Sequence, residues 1–386
     1  MTTVHNNSRE VKPDWSSVIV EEKKMPWSQN GAKTICARYK DPVLKGYSDV
    51  IVKDSINREF SENENLITPE RVTTMIVGFP RFILPEWNTH RVFSRNSASS
   101  RARSIKTTVK PVMEQPVIPL WTINHKGMTG PFADSKKAKR STANWLHSRD
   151  EAVLGMFRRL MNEEEVPYDA EASDWEKFAD KYDEAYKNDA APASWNDAHK
   201  QDCNRLIEPW MWHETLVTST YWQNFLDLRI AAGVQPEMET TAILMKAVLE
   251  ASPKYGTLKK RVMHVPFVDV EENDDLLSWK RLEPVLLQSA SECARISYHD
   301  RSQMKNRNGS NLGKRLLAEK HMSPFEHIAW SAKSSDWGKI SALKEKMTDL
   351  LEKHPDCPPD KIAGSLTSNF SESWLQFRRV IENREQ

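Results

Sequence analysis

Between His90 and Arg103 the chain carries His90, Arg91, Ser94, Arg95, Asn96, Ser97, Ser99, Ser100, Arg101 and Arg103. A serine-rich turn flanked by arginines offers backbone N–H groups, hydroxyls and guanidinium forks to one phosphate. Arginine suits that task because its planar fork grips two phosphate oxygens at once. A flexible basic loop, or a tail prone to phosphorylation, has the same composition. Composition alone does not separate these readings.

A second group lies in NRLIEPWMWHETLVTSTYWQNFLDLR, with Arg205 and Arg229 at either end of an apolar, aromatic stretch. An unpaired buried charge is expensive, so each arginine there needs a partner. That partner is a carboxylate in the structural case and an anionic ligand in the functional one. Asn224 of the same run reads equally as a helix-surface amide. The third group is ECARISYHD, with Ser297, and KHMSPFEHIAW, with His321 and His327. These two histidines flank a proline at a spacing that does not suit metal ligation from one helix, and there is no HExxH. No metal site is expected, and His327 in isolation reads as a satisfied structural histidine. The chain also lacks GxGxxG, a Walker-type phosphate loop and a GxSxG elbow, which argues against ordinary dinucleotide, NTPase and serine-hydrolase sites.

The elements that must position these groups are partly legible. Residues 1–33 read as irregular, with Pro13, Pro26 and Gly31. From Thr34 to about Pro80, short runs such as VIVKDSI and VTTMIVGF are rich in strand formers. Helices are expected at about 137–161, 203–230 and 236–252, with Pro209 kinking the second or marking a change of element. Ile340, Leu343, Met347, Leu350 and Leu351 recur at amphipathic helical spacing, whereas FEHIAWSAK reads as a strand. Residues 162–200, rich in Glu, Asp and Ala, read as a solvated helical insertion or a loose linker. The mix is α+β (α/β mixed): a central sheet with flanking helices in one domain over 34–386.

At 386 residues, with 39% hydrophobic and 28% charged residues, the composition is that of an ordinary soluble globular protein. No apolar run is long enough to span a membrane, and the N-terminus has no apolar signal core. Four scattered cysteines without CxxC spacing suit a reducing cytoplasm, which for a viral protein is the host's. A net charge of +1 gives no global attraction to nucleic acid or membrane. An anionic ligand must therefore be caught by local arginines.

Taken together, the three groups resemble the flavin-dependent thymidylate synthases. That family's fingerprint is RHR followed after seven residues by serine, a small residue and arginine. Here Thr89-His90-Arg91 is followed by Ser99-Ser100-Arg101. ECARISY resembles the family's ARVS helix end, and Ser323 to His327 matches its SPFEH signature residue for residue. Arg205 to Pro209 and Asn224 to Arg229 resemble its arginine-to-proline and NFLxLR segments. In compact bacterial members ARVS and SPFEH precede RHR; here they follow it, which resembles a circular permutation. THRVFSRN and the ending NFSESWLQFRRVIEN resemble a longer form found in bacteriophages. The departures are Thr89 for the first arginine, Glu86 where glutamine is common, and Ser97 for an acidic residue. Arg95 or Arg103 is available to replace the lost cation.

The resemblance implies transfer of a one-carbon unit from methylenetetrahydrofolate to C5 of dUMP, with FAD as hydride source and NADPH as reductant. It implies that Ser99, Ser100 and Arg101 cradle the nucleotide phosphate, and that Glu86, Arg205 and Arg229 also bind the substrate. Ser99 and Arg229 are the catalytic candidates, Arg229 polarising the uracil ring. His90, Arg91, Asn224, Ser297 and His327 are expected to hold the flavin. The family builds its site from several copies of the chain, so a homotetramer is expected. Two alternatives remain open: hydroxymethylation of dUMP or dCMP on the same fold, and a non-catalytic nucleic-acid-binding protein using the 90–103 cluster.

Overall fold

The computed structural model describes residues 12–24, 33–57, 67–97, 103–127, 129–268, 279–296, 309–331, 368–371 and 373–382. Its centre is a seven-stranded sheet. The strands are β1 (Val18–Lys24), β2 (Lys33–Tyr39), β3 (Ser48–Asn57), β4 (Arg71–Pro80), β5 (Ser94–Ser97), β6 (Trp212–Ser219) and β7 (Leu258–Arg261). The spatial order is β1-β2-β3-β4-β6-β5, with β7 joined to the far end of β3. Every pairing is antiparallel except β3 with β7. The β-rich reading of residues 34–80 matches β2 to β4.

The helices that flank the sheet and position the site are α1 (Leu84–Trp87), α2 (Ile105–Glu114), α3 (Ser135–Leu160), α4 (Trp175–Lys187), α5 (Lys200–Cys203), α6 (Gln223–Arg229), α7 (Pro236–Ala251) and α8 (Trp279–Arg295). Pro236 opens α7, where its missing N–H costs nothing. Met238, Ala242, Met245, Val248 and Leu249 of α7 pack with Ile35, Ile51, Met75 and Val77 of the sheet to form the main core. A buried ion pair ties this helix down. Arg71 donates from Nε to Asp54 Oδ1 at 2.9 Å, and from Nη2 to Asp54 Oδ2 at 2.5 Å and the Leu249 carbonyl at 2.9 Å. Thr73 and Ser252 also donate to Asp54, so the dry carboxylate is saturated.

A second, three-stranded sheet is made of β8 (Met263–His264), β9 (Ala329–Ser331) and β10 (Trp374–Gln376) in the order β10-β9-β8. It shares a core with α8 and with the 3-10 turn Ser323–His327.

Several expectations need correction. The segment 1–33 is not irregular throughout: Val18–Lys24 forms β1, paired along its whole length with β2. Residues 162–200 are neither loose nor merely solvated. Trp175, Phe178, Ala179 and Tyr182 of α4 follow helical spacing and are buried against Phe157 and Leu160 of α3; the acidic composition hid that stripe. The helix expected at 203–230 is instead a 3-10 turn at Asn204–Trp210, strand β6 and the short helix α6. Pro209 does mark the change of element. The β-branched run of β6 wins because partners on both sides, β4 and β5, satisfy its backbone. Among the described residues of FEHIAWSAK, Ala329–Ser331 form a strand and the first part is the 3-10 turn. The helix expected at 340–351 lies outside the described residues.

Candidate functional site

Arg229 ends α6, in the last turn, where the carbonyl end of the helix favours a cation. Phe225 and Leu226 anchor α6 in the main core and so fix where Arg229 emerges. On the facing segment, the buried ring of Trp87 anchors α1, and Glu86, Thr89 and His90 are placed by it. Trp87, His90 and Phe93 all pack on the ring of Phe225, at centroid distances of 5.6, 4.8 and 5.1 Å. This aromatic seam holds the two segments in register.

The polar groups then meet above it. Arg229 donates from Nε to His90 Nε2 at 2.8 Å, from Nη2 to Thr89 Oγ1 at 3.1 Å, and from Nη1 to the Glu86 carboxylate. Because His90 Nε2 accepts, the ring is neutral with its proton on Nδ1. Burial, then the charges of Arg229 and Arg95, push the His90 pKa down to about 4. A guanidinium has five N–H donors, and three are used here. The other two make no hydrogen bond among the described residues.

Arg95 is the further cation of this group. It donates to Asn88 Oδ1 at 2.9 Å and feels both His90 and Glu326. Of the two arginines named as replacements for the cation lost at Thr89, Arg95 therefore stands beside His90, and Arg103 acts on His213 instead.

Arg205 belongs to a different cluster. It pairs with Glu208 at 2.9 Å, and Glu208 also accepts from Arg81 Nη2 at 2.8 Å. Arg81 Nη1 donates to His213 Nδ1 at 3.1 Å, so His213 is neutral as well. Burial, Arg81 and Arg103 push its pKa down to about 3. Arg81 and His213 were not singled out from the sequence; only the run PRFILPEWNTHRVFSRNSASSRARS, dense in arginine and serine, contains the first.

His327 is fully buried in the 3-10 turn, with a pKa pushed down to about 3 by burial. Its Nδ1 lies 2.7 Å from Thr218 Oγ1 on β6, and its Nε2 has no hydrogen-bond partner among the described residues. Thr218 is the rung opposite Ser94 of β5, four residues beyond His90. Ser94 Oγ in turn accepts from Gln376 Nε2 at 3.1 Å and Asn369 Nδ2 at 3.0 Å, so the C-terminal NFSESWLQF segment closes over β5.

The sequence-derived site is thus assembled in part. Glu86 and His90 each contact Arg229, and His327 contacts Thr218 of β6, the rung opposite Ser94 of β5. Glu86, expected among substrate-binding residues, spends one carboxylate oxygen on Arg229. Arg91 and Asn224 are exposed beside this group, whereas Arg205 is held apart with Glu208. Ser99, Ser100, Arg101 and Ser297 lie outside the described residues. A cavity of about 410 Å³ is lined by Phe82, Leu120, Trp121, Trp145, Gln235 and Glu237, and none of the expected site residues lines it. The described residues include no cluster of His, Cys, Asp and Glu that could hold a metal, and no helix long and apolar enough to cross a membrane.

No family model and no curated protein sequence matches this chain. Among solved structures, a UMP/dUMP methylase, PolB from Streptomyces cacaoi bound with 5-Br UMP, is similar at a TM-score of 0.33 and 13% identity. The alignment covers 55% of this chain and 96% of that one. The same protein bound with 5-Br dUMP gives a TM-score of 0.32 and 12% identity, over 55% and 97% of the two chains. A likeness at this level assigns no residue a role.

Proposed function

We propose that this chain is an enzyme of the flavin-dependent thymidylate synthase type, transferring a one-carbon unit from methylenetetrahydrofolate to C5 of dUMP to give dTMP. The observation that carries the reading is the hydrogen-bonded group of Glu86, Thr89, His90 and Arg229. Two segments that resemble family signatures on their residues alone meet side chain to side chain, although 139 positions separate His90 from Arg229. A chance resemblance gives no reason for them to touch.

In this reading the two remaining N–H donors of Arg229 face the nucleotide and stabilise negative charge that develops on the uracil ring. Glu86, Thr89 and His90 hold the fork still, so no reorganisation is needed when that charge appears. Ser99, Ser100 and Arg101, with Arg205, take the phosphate. Because Arg205 stands apart from Arg229 within one chain, the reading includes a homotetramer in which copies complete each other's sites. The departure in motif order corresponds to a circular permutation.

The residues present fit a flavin in one respect visible in the fold. His327 Nε2 is buried and without a partner among the described residues, so it is able to take one hydrogen bond from a ligand atom. His90, Arg91, Asn224, Ser297 and His327 would hold FAD. The flavin, reduced by NADPH, supplies the hydride, and the protein orients it and excludes water.

The test is a visible spectrum of the purified protein after incubation with FAD, with dUMP then added. Retained flavin whose spectrum dUMP perturbs supports the reading. A colourless protein that retains no flavin and does not respond to dUMP overturns it. Thr89, a hydroxyl in the place of a family arginine and bonded to Arg229, alters the rim of this pocket and keeps hydroxymethylation of dUMP or dCMP as the second reading. The mass of the product formed with each nucleotide separates the two.

A further inference from the structure

His327 is one end of a buried chain of polar groups that crosses both sheets. Its Nδ1 lies 2.7 Å from Thr218 Oγ1, Thr218 Oγ1 lies 2.6 Å from Thr74 Oγ1, and Thr74 Oγ1 lies 2.8 Å from His264 Nε2. His264 Nδ1 lies 2.9 Å from Ser55 Oγ. Thr74 and Thr218 are direct cross-strand partners on β4 and β6. Ser55, Thr74, Thr218, His264 and His327 are each almost fully buried, so bulk water does not compete for these bonds.

The protons in such a chain are not independent. Each of the four bonds needs one proton, and a neutral imidazole donates from one nitrogen and accepts at the other. With both rings neutral and each threonine proton used within the chain, two arrangements exist. In the first, His264 Nδ1–H donates to Ser55, Thr74 donates to His264 Nε2, Thr218 donates to Thr74, and His327 Nδ1–H donates to Thr218. That leaves a bare lone pair on His327 Nε2. In the second, every bond is reversed and His327 Nε2 carries the proton. Both rings hold their proton on the same nitrogen in either case. Burial lowers the pKa of both imidazoles, which keeps the rings neutral as the chain requires.

We infer that His264 is a positioning residue that, through Thr74 and Thr218, fixes the tautomer of His327. It thereby decides whether His327 Nε2 offers a proton or a lone pair to a bound ligand. The consequence for a ligand rests on the proposed function, which sets the flavin beside His327; the coupling of the two rings does not. Thr74 is the link that reaches from one ring's partner to the other, since it touches both Thr218 and His264.

The experiment is 15N NMR of the imidazoles in the full-length, ligand-free protein at neutral pH, where protonated and bare ring nitrogens resonate far apart. The wild type is expected to show His264 and His327 with their protons on the same nitrogen. Thr74→Val removes the hydroxyl and keeps the shape; His327 is then expected to pass from one tautomer to a mixture. Opposite tautomers in the wild type overturn the inference. So does a folded Thr74→Val protein in which the His327 signals do not move. If that variant fails to fold, the wild-type tautomers decide alone. A protein that binds no flavin still reports on this coupling, so its failure and that of the proposed function are read separately.

Discussion

Arg229 Nε and His90 Nε2 lie 2.8 Å apart, and the direction of that bond fixes the state of both side chains. A guanidinium can only donate, so the imidazole must accept and cannot be charged. The charge at this contact therefore sits on the fork of Arg229, steadied by a neutral ring, a threonine hydroxyl and one carboxylate.

Arg229→Lys keeps the charge but loses the planar fork and at least one of the three contacts. We expect nucleotide affinity, read by titration with dUMP, to fall roughly 10- to 100-fold, about 1.4–2.8 kcal/mol. Some thermal stability should be lost as well, because the side chain is largely buried and a partner is left without its donor. Equal dUMP affinity in variant and wild type would remove Arg229 from the site.

His213 has a folded pKa of about 3 against an ordinary value of 6.5. As pH falls below 6.5 the unfolded chain takes up a proton there and the native state does not. The stability that the neutral ring contributes is present above pH 6.5 and is lost as pH falls toward 3, by about 1.4 kcal/mol per unit. His213→Gln keeps an acceptor for Arg81 but does not titrate. Urea unfolding at pH 7 and pH 5 should show the variant gaining on the wild type at the lower pH. A constant difference between the two proteins would contradict this.

Asp49 works in the opposite sense. It lies on β3 opposite Ala37 and Val77 and is fully buried. Burial raises its pKa well above the carboxylate range. As pH rises past 3.8 the unfolded chain ionises there while the native state stays protonated, so stability is lost with increasing pH. Asp49→Asn removes that loss. Its advantage over wild type should grow as pH rises above 3.8, measured by denaturant midpoints, and an advantage independent of pH would sink the argument.

Phe178 distinguishes a packed α4 from a solvated insertion. Its ring meets that of Phe157 at 5.6 Å and is buried in the helical cluster. Phe178→Ala should destabilise the protein by about 3–5 kcal/mol, as for a core aromatic. A loss within about 0.5 kcal/mol, ordinary for a surface position, would restore the solvated reading.

The sequence alone determined what local pattern can determine. Strand-forming runs located β3 and β4, helical spacing located α3 and α7, and the residue types in THR, NFLDLR and SPFEH marked the segments worth pursuing. Local pattern could not choose between helix and strand for 212–219, because that choice rests on whether β4 and β5 are present to pair with it. Nor could it show that 162–200 buries a stripe, since four apolar residues among many acids are visible only once α3 supplies the surface they cover. The contacts that give the candidate site its chemistry were decided by tertiary structure: Arg229 on Glu86, Thr89 and His90, and His264 on His327 through two threonines. A hydrogen bond between residues more than a hundred positions apart leaves no periodic trace in sequence. It exists only where packing of the flanking apolar residues brings donor and acceptor within reach.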